Sequence, residues 1–105
     1  MTSKQRAYLK SLASKEDTIL QIGKEGLTTE NTESIEQALA ARELIKVGIL
    51  QNCLEDIHEV AGSAAERTRS SLVQVIGRKF VLYREGSKDK KKIILPPDRK
   101  KGKAL

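Results

Sequence analysis

The chain has 105 residues, 38% of them hydrophobic, and a formal net charge of +6. That is one domain, able to bury roughly 60–65% of the surface its unfolded chain exposes without help from a disulfide or a metal. The single cysteine, Cys53, excludes an intramolecular disulfide, there is no His/Cys cluster of the zinc type, and no apolar run approaches the ~18 residues of a membrane span.

The first predicted helix runs from a Ser3 cap to about Ala13. Tyr8, Leu9, Leu12 and Ala13 recur at helical spacing on its core face, and Lys4, Arg6 and Lys10 lie on the other. Thr18-Ile19-Leu20-Gln21-Ile22 reads as a strand, followed by the turn Gly23-Lys24-Glu25-Gly26. Thr28 or Thr29 caps a second helix to about Ala41, with Glu30 or Glu33 favouring its dipole. Leu27, Ile35, Ala38 and Leu39 form its apolar stripe, and Glu30, Glu33, Glu36 and Gln37 face water.

Strand two is Leu44–Leu50, apolar and β-branched except for Lys46. That lysine either snorkels at a strand end or projects from an uncovered sheet face. Cys53 lies in a loop with no catalytic neighbour and reads as a semi-buried thiol. Asp56 starts a third helix to about Arg69, with Ile57, Val60, Ala61, Ala64 and Ala65 inward, Gly62 weakening it and His58 on its polar side. Leu72–Ile76, a turn at Gly77-Arg78-Lys79, and Phe80–Arg84 form a hairpin. Phe80 and Tyr83 face opposite sides of their strand, so at least one is core. Ile93-Ile94-Leu95 reads as a short edge strand stopped by Pro96-Pro97. The folded domain therefore covers residues 1–96, and 97–105 form a basic, disordered tail.

The expected order is α-β-α-β-α-β-β: an α/β (α+β) single domain with a mixed four-stranded sheet and helices mainly on one face. The β-α-β crossovers imply parallel strands, and the last two strands should be antiparallel.

Charge is unevenly placed. Residues 84–105 hold nine Lys/Arg against three acids, whereas the other 83 residues are neutral overall. Residues 25–66 carry nine acids against Arg42 and Lys46. A basic patch beside a basic tail is the footprint of a polyanion binder, and a charge run alone also serves simply to solubilise. The turn Gly23-Lys24-Glu25-Gly26 sharpens the first reading. Two glycines three apart, between a strand and a helix N-terminus, let a phosphate approach unpaired N–H groups beside Lys24. The GXXG loop of KH domains clamps a nucleic-acid backbone in this manner. Two glycines in a strand-to-helix turn also have a purely structural reading.

Three segments, KQRAYLKSLA, QIGKEGLT with RELIKV, and VQVIGRKFVLYRE, occur in this order, and QNC follows strand two. Together, over residues 3–96, they resemble the CRM-domain family of small bacterial YhbY-type proteins. The resemblance implies the fold just derived, similar to the C-terminal domain of translation initiation factor three. It implies a non-catalytic, cofactor-free RNA-binding protein acting on rRNA in precursors of the large ribosomal subunit. The family's RNA-binding loop maps onto Gly23, Lys24, Glu25 and Gly26, with Lys46, Arg78 and Arg84 as further contacts. Family members usually carry a small or neutral residue where this chain has Glu25, and often a basic one at Gly48.

The expected partner is therefore RNA, in a cytoplasmic monomer that contacts no membrane and holds no metal. Only Tyr8, Phe80 and Tyr83 are aromatic, too few for an RRM-like stacking platform. A rival reading is a protein-interaction module whose acidic second helix docks on ribosomal proteins. Neither a nucleophile–base pair nor a GxxxxGK[ST] loop supports an enzyme. No helix has the basic face of a duplex-DNA reader.

Overall fold

Thr2, one residue earlier than expected, caps the first helix. Its hydroxyl accepts from the Gln5 N–H, and the Gln5 side chain accepts from the Thr2 N–H in return, closing a capping box. A computed structural model of the protein describes residues 1–86 and 93–96. The elements are α1 (Ser3–Ala13), β1 (Thr18–Ile22), α2 (Thr29–Arg42), β2 (Leu44–Ile49), α3 (Ile57–Thr68), β3 (Ser71–Ile76) and β4 (Lys79–Tyr83). Thr28 caps α2 and Asp56 caps α3, each accepting from the N–H three residues on.

The sheet order is β1-β2-β4-β3, with β1 and β2 parallel and the other pairs antiparallel. β2 and β3 point the same way, as their crossover requires, but β4 inserts between them. The β3–β4 turn is Gly77-Arg78, and Lys79 already pairs in β4.

Alternation along the strands makes two cores. Ile22, Ile45, Val47, Ile49, Phe80 and Leu82 point to one face, where α2 and α3 cover them with Ile35, Leu39, Val60, Ala61 and Ala64. Leu44, Val73, Val81 and Tyr83 point to the other, under Leu9 and Ala13 of α1. Phe80 and Tyr83 are thus both core, one per face. Truncating Phe80, fully buried, would cost about 3–5 kcal/mol.

Four further expectations change here. Tyr8 is 39% exposed rather than core, because α1 rests on the sheet through Leu9 and Ala13. Arg6 does not face solvent freely. Its guanidinium donates to the carbonyls of Leu72 and Val73, where a bulge opens β3. Residues 93–95 form no strand. They lie as an irregular strap whose Ile93 and Leu95 pack on the α1-side core, and the Pro96 carbonyl accepts from Gln5. Cys53 is buried, not merely semi-buried. The tail expected over 97–105 lies outside the described residues. No described helix is long and apolar enough to cross a membrane.

Gly62 faces solvent in α3, and a Cβ there would meet nothing within 4 Å. Gly62→Ala is therefore expected to raise stability by about 1 kcal/mol, read as a higher urea midpoint with an unchanged slope.

Candidate nucleic-acid interface

Because β1 and β2 run parallel and β4 returns antiparallel, three connections meet at one end of the sheet. These are the Gly23–Gly26 turn after β1, the loop after β2, and the Gly77-Arg78 turn. They are stitched together: Leu50 N–H donates to the Ile22 carbonyl and Ile49 N–H to that of Arg78, both at 2.8 Å. The Arg78 side chain donates back to the carbonyls of Ile49 and Leu50.

The glycine turn is closed by a 3.0 Å bond from Gly26 N–H to the Gly23 carbonyl. Gly26 sits at φ +72, where a side chain is strained. A Cβ there would also stand 2.1 Å from the Glu55 carboxylate, which leans over the turn. Asn31, in the first turn of α2, donates to the Gly26 carbonyl and holds the turn against the helix. Lys24 and Glu25 are exposed and are not paired with each other or with any described residue. Their amides have no backbone acceptor among the described residues.

The sheet face on the α1 side is only half covered. α1 and the strap lie over the end bearing Leu44 and Tyr83. Toward the turns, the same face presents Gln21, Lys46, Gly48 and Lys79. Register places Lys46 opposite Val81 and Gly48 opposite Lys79, so the two lysines sit diagonally on adjacent strands. Lys46 is therefore on the uncovered face, not snorkelling at a strand end. Gln21 lies across Gly48, where a Cβ would come within 2.5 Å of its side-chain oxygen. A basic residue at position 48 would displace it.

The structure thus brings Gly23, Lys24, Glu25, Gly26 and Arg78 to one end and adds Lys79, while Lys46 sits mid-strand on the adjoining sheet face, paired with Thr18 and Val81. It does not bring Arg84 there. Arg84 follows β4 at the opposite end, and its guanidinium is spent on a 2.6 Å ion pair with Glu36 and on the Thr68 carbonyl. Arg84 reads as a clasp between the sheet and both α2 and α3.

Glu43 escaped sequence reasoning. It is 1% exposed, has φ 67, and follows α2 directly. Its carboxylate accepts from the N–H groups of Gly86 and Ile93, so one buried side chain holds both feet of the segment that leads into the strap. The one sequence signal was an acid placed between a helix end and an apolar strand. Beside it, the Tyr83 hydroxyl is buried and makes no hydrogen bond among the described residues. Burial, then the charges of Glu43 and Glu85, push its pKa above the usual phenolic value. A raised acid pKa means the unfolded chain loses this proton first. The contribution to stability is complete below about pH 10 and is lost as pH rises through the higher folded value. Tyr83→Phe should leave stability at pH 7 nearly unchanged and flatten the alkaline decline, measured as melting temperature from pH 8 to 11.

A family model for the CRS1/YhbY (CRM) domain matches residues 1–84. The chain belongs to this CRM-domain family. It is 48% identical over 96 residues to "Probable RNA-binding protein YqeI" of Bacillus subtilis, covering 91% of this chain and 99% of that one. It is 34% identical over 96 residues to an RNA-binding protein of Haemophilus influenzae, covering 91% and 95%. The solution structure of the hypothetical protein SAV1595 from Staphylococcus aureus superposes with a TM-score of 0.77 at 51% identity, over 91% of this chain and 99% of that one. The CRM domain therefore accounts for nearly all of the described chain, and the α-β-α-β-α-β-β fold is shared with that solution structure.

Proposed function

We propose that this protein is a non-catalytic RNA binder that acts on rRNA in precursors of the large ribosomal subunit. The observation that carries the reading is the meeting, at one end of the sheet, of the glycine turn, Arg78 and Lys79, next to the half-open face that bears Lys46. Half-open sheet beside a turn whose Lys24 and Glu25 amides have no backbone acceptor among the described residues suits a nucleic-acid strand. The relatives' names support RNA as the ligand. With both Phe80 and Tyr83 buried, stacking contributes little, and most of the affinity comes from counterion release. Selection is then by RNA shape more than by sequence, which suits a helper of rRNA folding.

The acidic face of α2 supports the rival, docking on a basic ribosomal protein. Glu30, Glu33 and Glu36 are all exposed, but Glu36 is engaged by Arg84.

Sucrose-gradient sedimentation of cell lysate tests the proposal, comparing wild type with Lys24→Glu/Lys46→Glu and with Glu30→Lys/Glu33→Lys. Gly26→Asp is a poor probe, since it strains the turn and collides with Glu55. Wild type and the acidic-helix variant in large-subunit fractions, with the lysine variant at the top, is the expected result. Release of the acidic-helix variant alone would favour protein docking. Wild type at the top would remove stable ribosome association.

A further inference from the structure

The charge around the glycine turn does not suit a simple phosphate clamp. Lys24 is its one cation, while Glu25 lies inside the turn and Glu55 leans over Gly26. Glu30 opens α2 beside them. No described residue neutralises Glu25, Glu30 or Glu55 by an ion pair. A phosphate placed on this turn would meet carboxylates on several sides and only one ammonium. Nor does a metal ion resolve this, because no three acidic, His or Cys residues among those described are grouped to hold one. Cations without an ion-pair partner among the described residues lie instead on the neighbouring face, at Lys46 and Lys79.

Between the turn and the start of α2 is a cleft of about 390 Å³ lined by Gln21, Gly23, Lys24, Glu25, Thr28, Glu30 and Asn31. Part of its lining is held in place: Asn31 is tied to the Gly26 carbonyl and Thr28 caps the helix. Gln21, Lys24, Glu25 and Glu30 make no hydrogen bond or ion pair among the described residues, so all four can serve a ligand. The cleft combines free carboxylates with an ammonium, a carboxamide and the unpaired amides of Lys24 and Glu25.

Resting on the RNA-binding reading, we infer that this cleft is a base pocket for an unpaired guanine, with the RNA backbone held on the sheet face by Lys46 and Lys79. Guanine alone offers two adjacent donors, N1–H and the N2 amine, which a carboxylate accepts side by side. Its O6 and N7 accept from Lys24, Gln21 or the turn amides. Adenine and cytosine offer one amine each, and uracil one ring N–H. Glu25, out of place in a phosphate loop, becomes the reader of the base. Single-stranded loops and bulges expose the edges such a pocket needs.

The test is fluorescence-anisotropy titration of the full-length protein against uridine-rich RNA 11-mers. Each carries one central guanosine, inosine, adenosine or cytidine. Wild type should bind the guanosine oligomer about tenfold tighter than the adenosine or cytidine ones. Inosine, which keeps N1–H and lacks the N2 amine, should fall between. Glu25→Gln or Glu30→Gln should erase the preference, with melting temperatures checked to confirm folding. Equal wild-type affinity for all four would overturn the pocket and leave the RNA reading standing. Tighter binding by Glu25→Gln with the guanosine preference intact would mean that Glu25 only repels phosphate. Displacement of the oligomer by equimolar GMP would transfer the cleft to a free nucleotide. Wild type that binds none of the oligomers at low salt would overturn both readings.

Discussion

Glu43→Ala is expected to lower the unfolding free energy by about 3 kcal/mol, the cost of losing charge-assisted bonds to two backbone donors. For a domain of this size that is roughly 15 °C in melting temperature. The carboxylate is buried at the junction of α2 and β2 and accepts from Gly86 and Ile93, and its own carbonyl accepts from Arg84 N–H. These bonds hold a non-glycine residue at φ 67, a conformation that costs of order 1–3 kcal/mol. Glu43→Gly removes the same side chain but relieves that strain, so it should be less destabilised than Glu43→Ala by about 1 kcal/mol. Amide exchange at Gly86 and Ile93 should accelerate in both. If both variants lie within 0.5 kcal/mol of wild type in chemical denaturation, the carboxylate is not what holds the strap down.

On the binding side, Lys46→Ala/Lys79→Ala should weaken RNA binding by ten- to a hundredfold at low salt. Each lysine that contacts a phosphate releases about one counterion, so the slope of log affinity against log salt should fall by about two units. Stability should barely move, because both side chains project from an uncovered face and neither is ion-paired among the described residues. Arg84→Ala is the contrasting case. It breaks the bridge to Glu36 and the bond to the Thr68 carbonyl at the far end of the sheet. It should lower stability and leave the affinity of the folded protein nearly unchanged. A variant pair that behaved the other way round would move the interface to the opposite end.

Much of this fold is written locally. β1 is an apolar run bounded by turn residues. α2 and α3 announce their starts with Thr28 and Asp56, whose side chains satisfy helix N–H groups whatever lies elsewhere. The glycine turn is legible because Gly26 must take a backbone conformation that other residues resist. The inward set of α3, Val60, Ala61, Ala64 and Ala65, follows from helical period alone.

Other features depend on which strand lies beside which. Periodicity put Tyr8 with Leu9 and Leu12 on one face of α1. How far that helix rolls onto the sheet left Tyr8 in solvent. Arg6 and Arg84 both looked like surface cations because a sequence does not disclose distant carbonyls and carboxylates. Arg6 found those of Leu72 and Val73, and Arg84 found Thr68 and Glu36. Ile93-Ile94-Leu95 has strand composition, yet Ile93 N–H bonds to a buried carboxylate instead of a strand edge.

The sequence by itself determined the elements, their order, the apolar faces and the glycine turn, since each rests on short-range sterics, capping and hydrophobic period. Only the tertiary structure decided that β4 inserts between β2 and β3. That insertion carries the Gly77-Arg78 turn and Lys79 to the end of β2, beside the glycine turn, and sends Arg84 to the far end. Strand order is settled by long-range packing of two faces at once, with Phe80 and Leu82 under α2 and α3 and Val81 and Tyr83 under α1. No window of neighbouring residues contains that information.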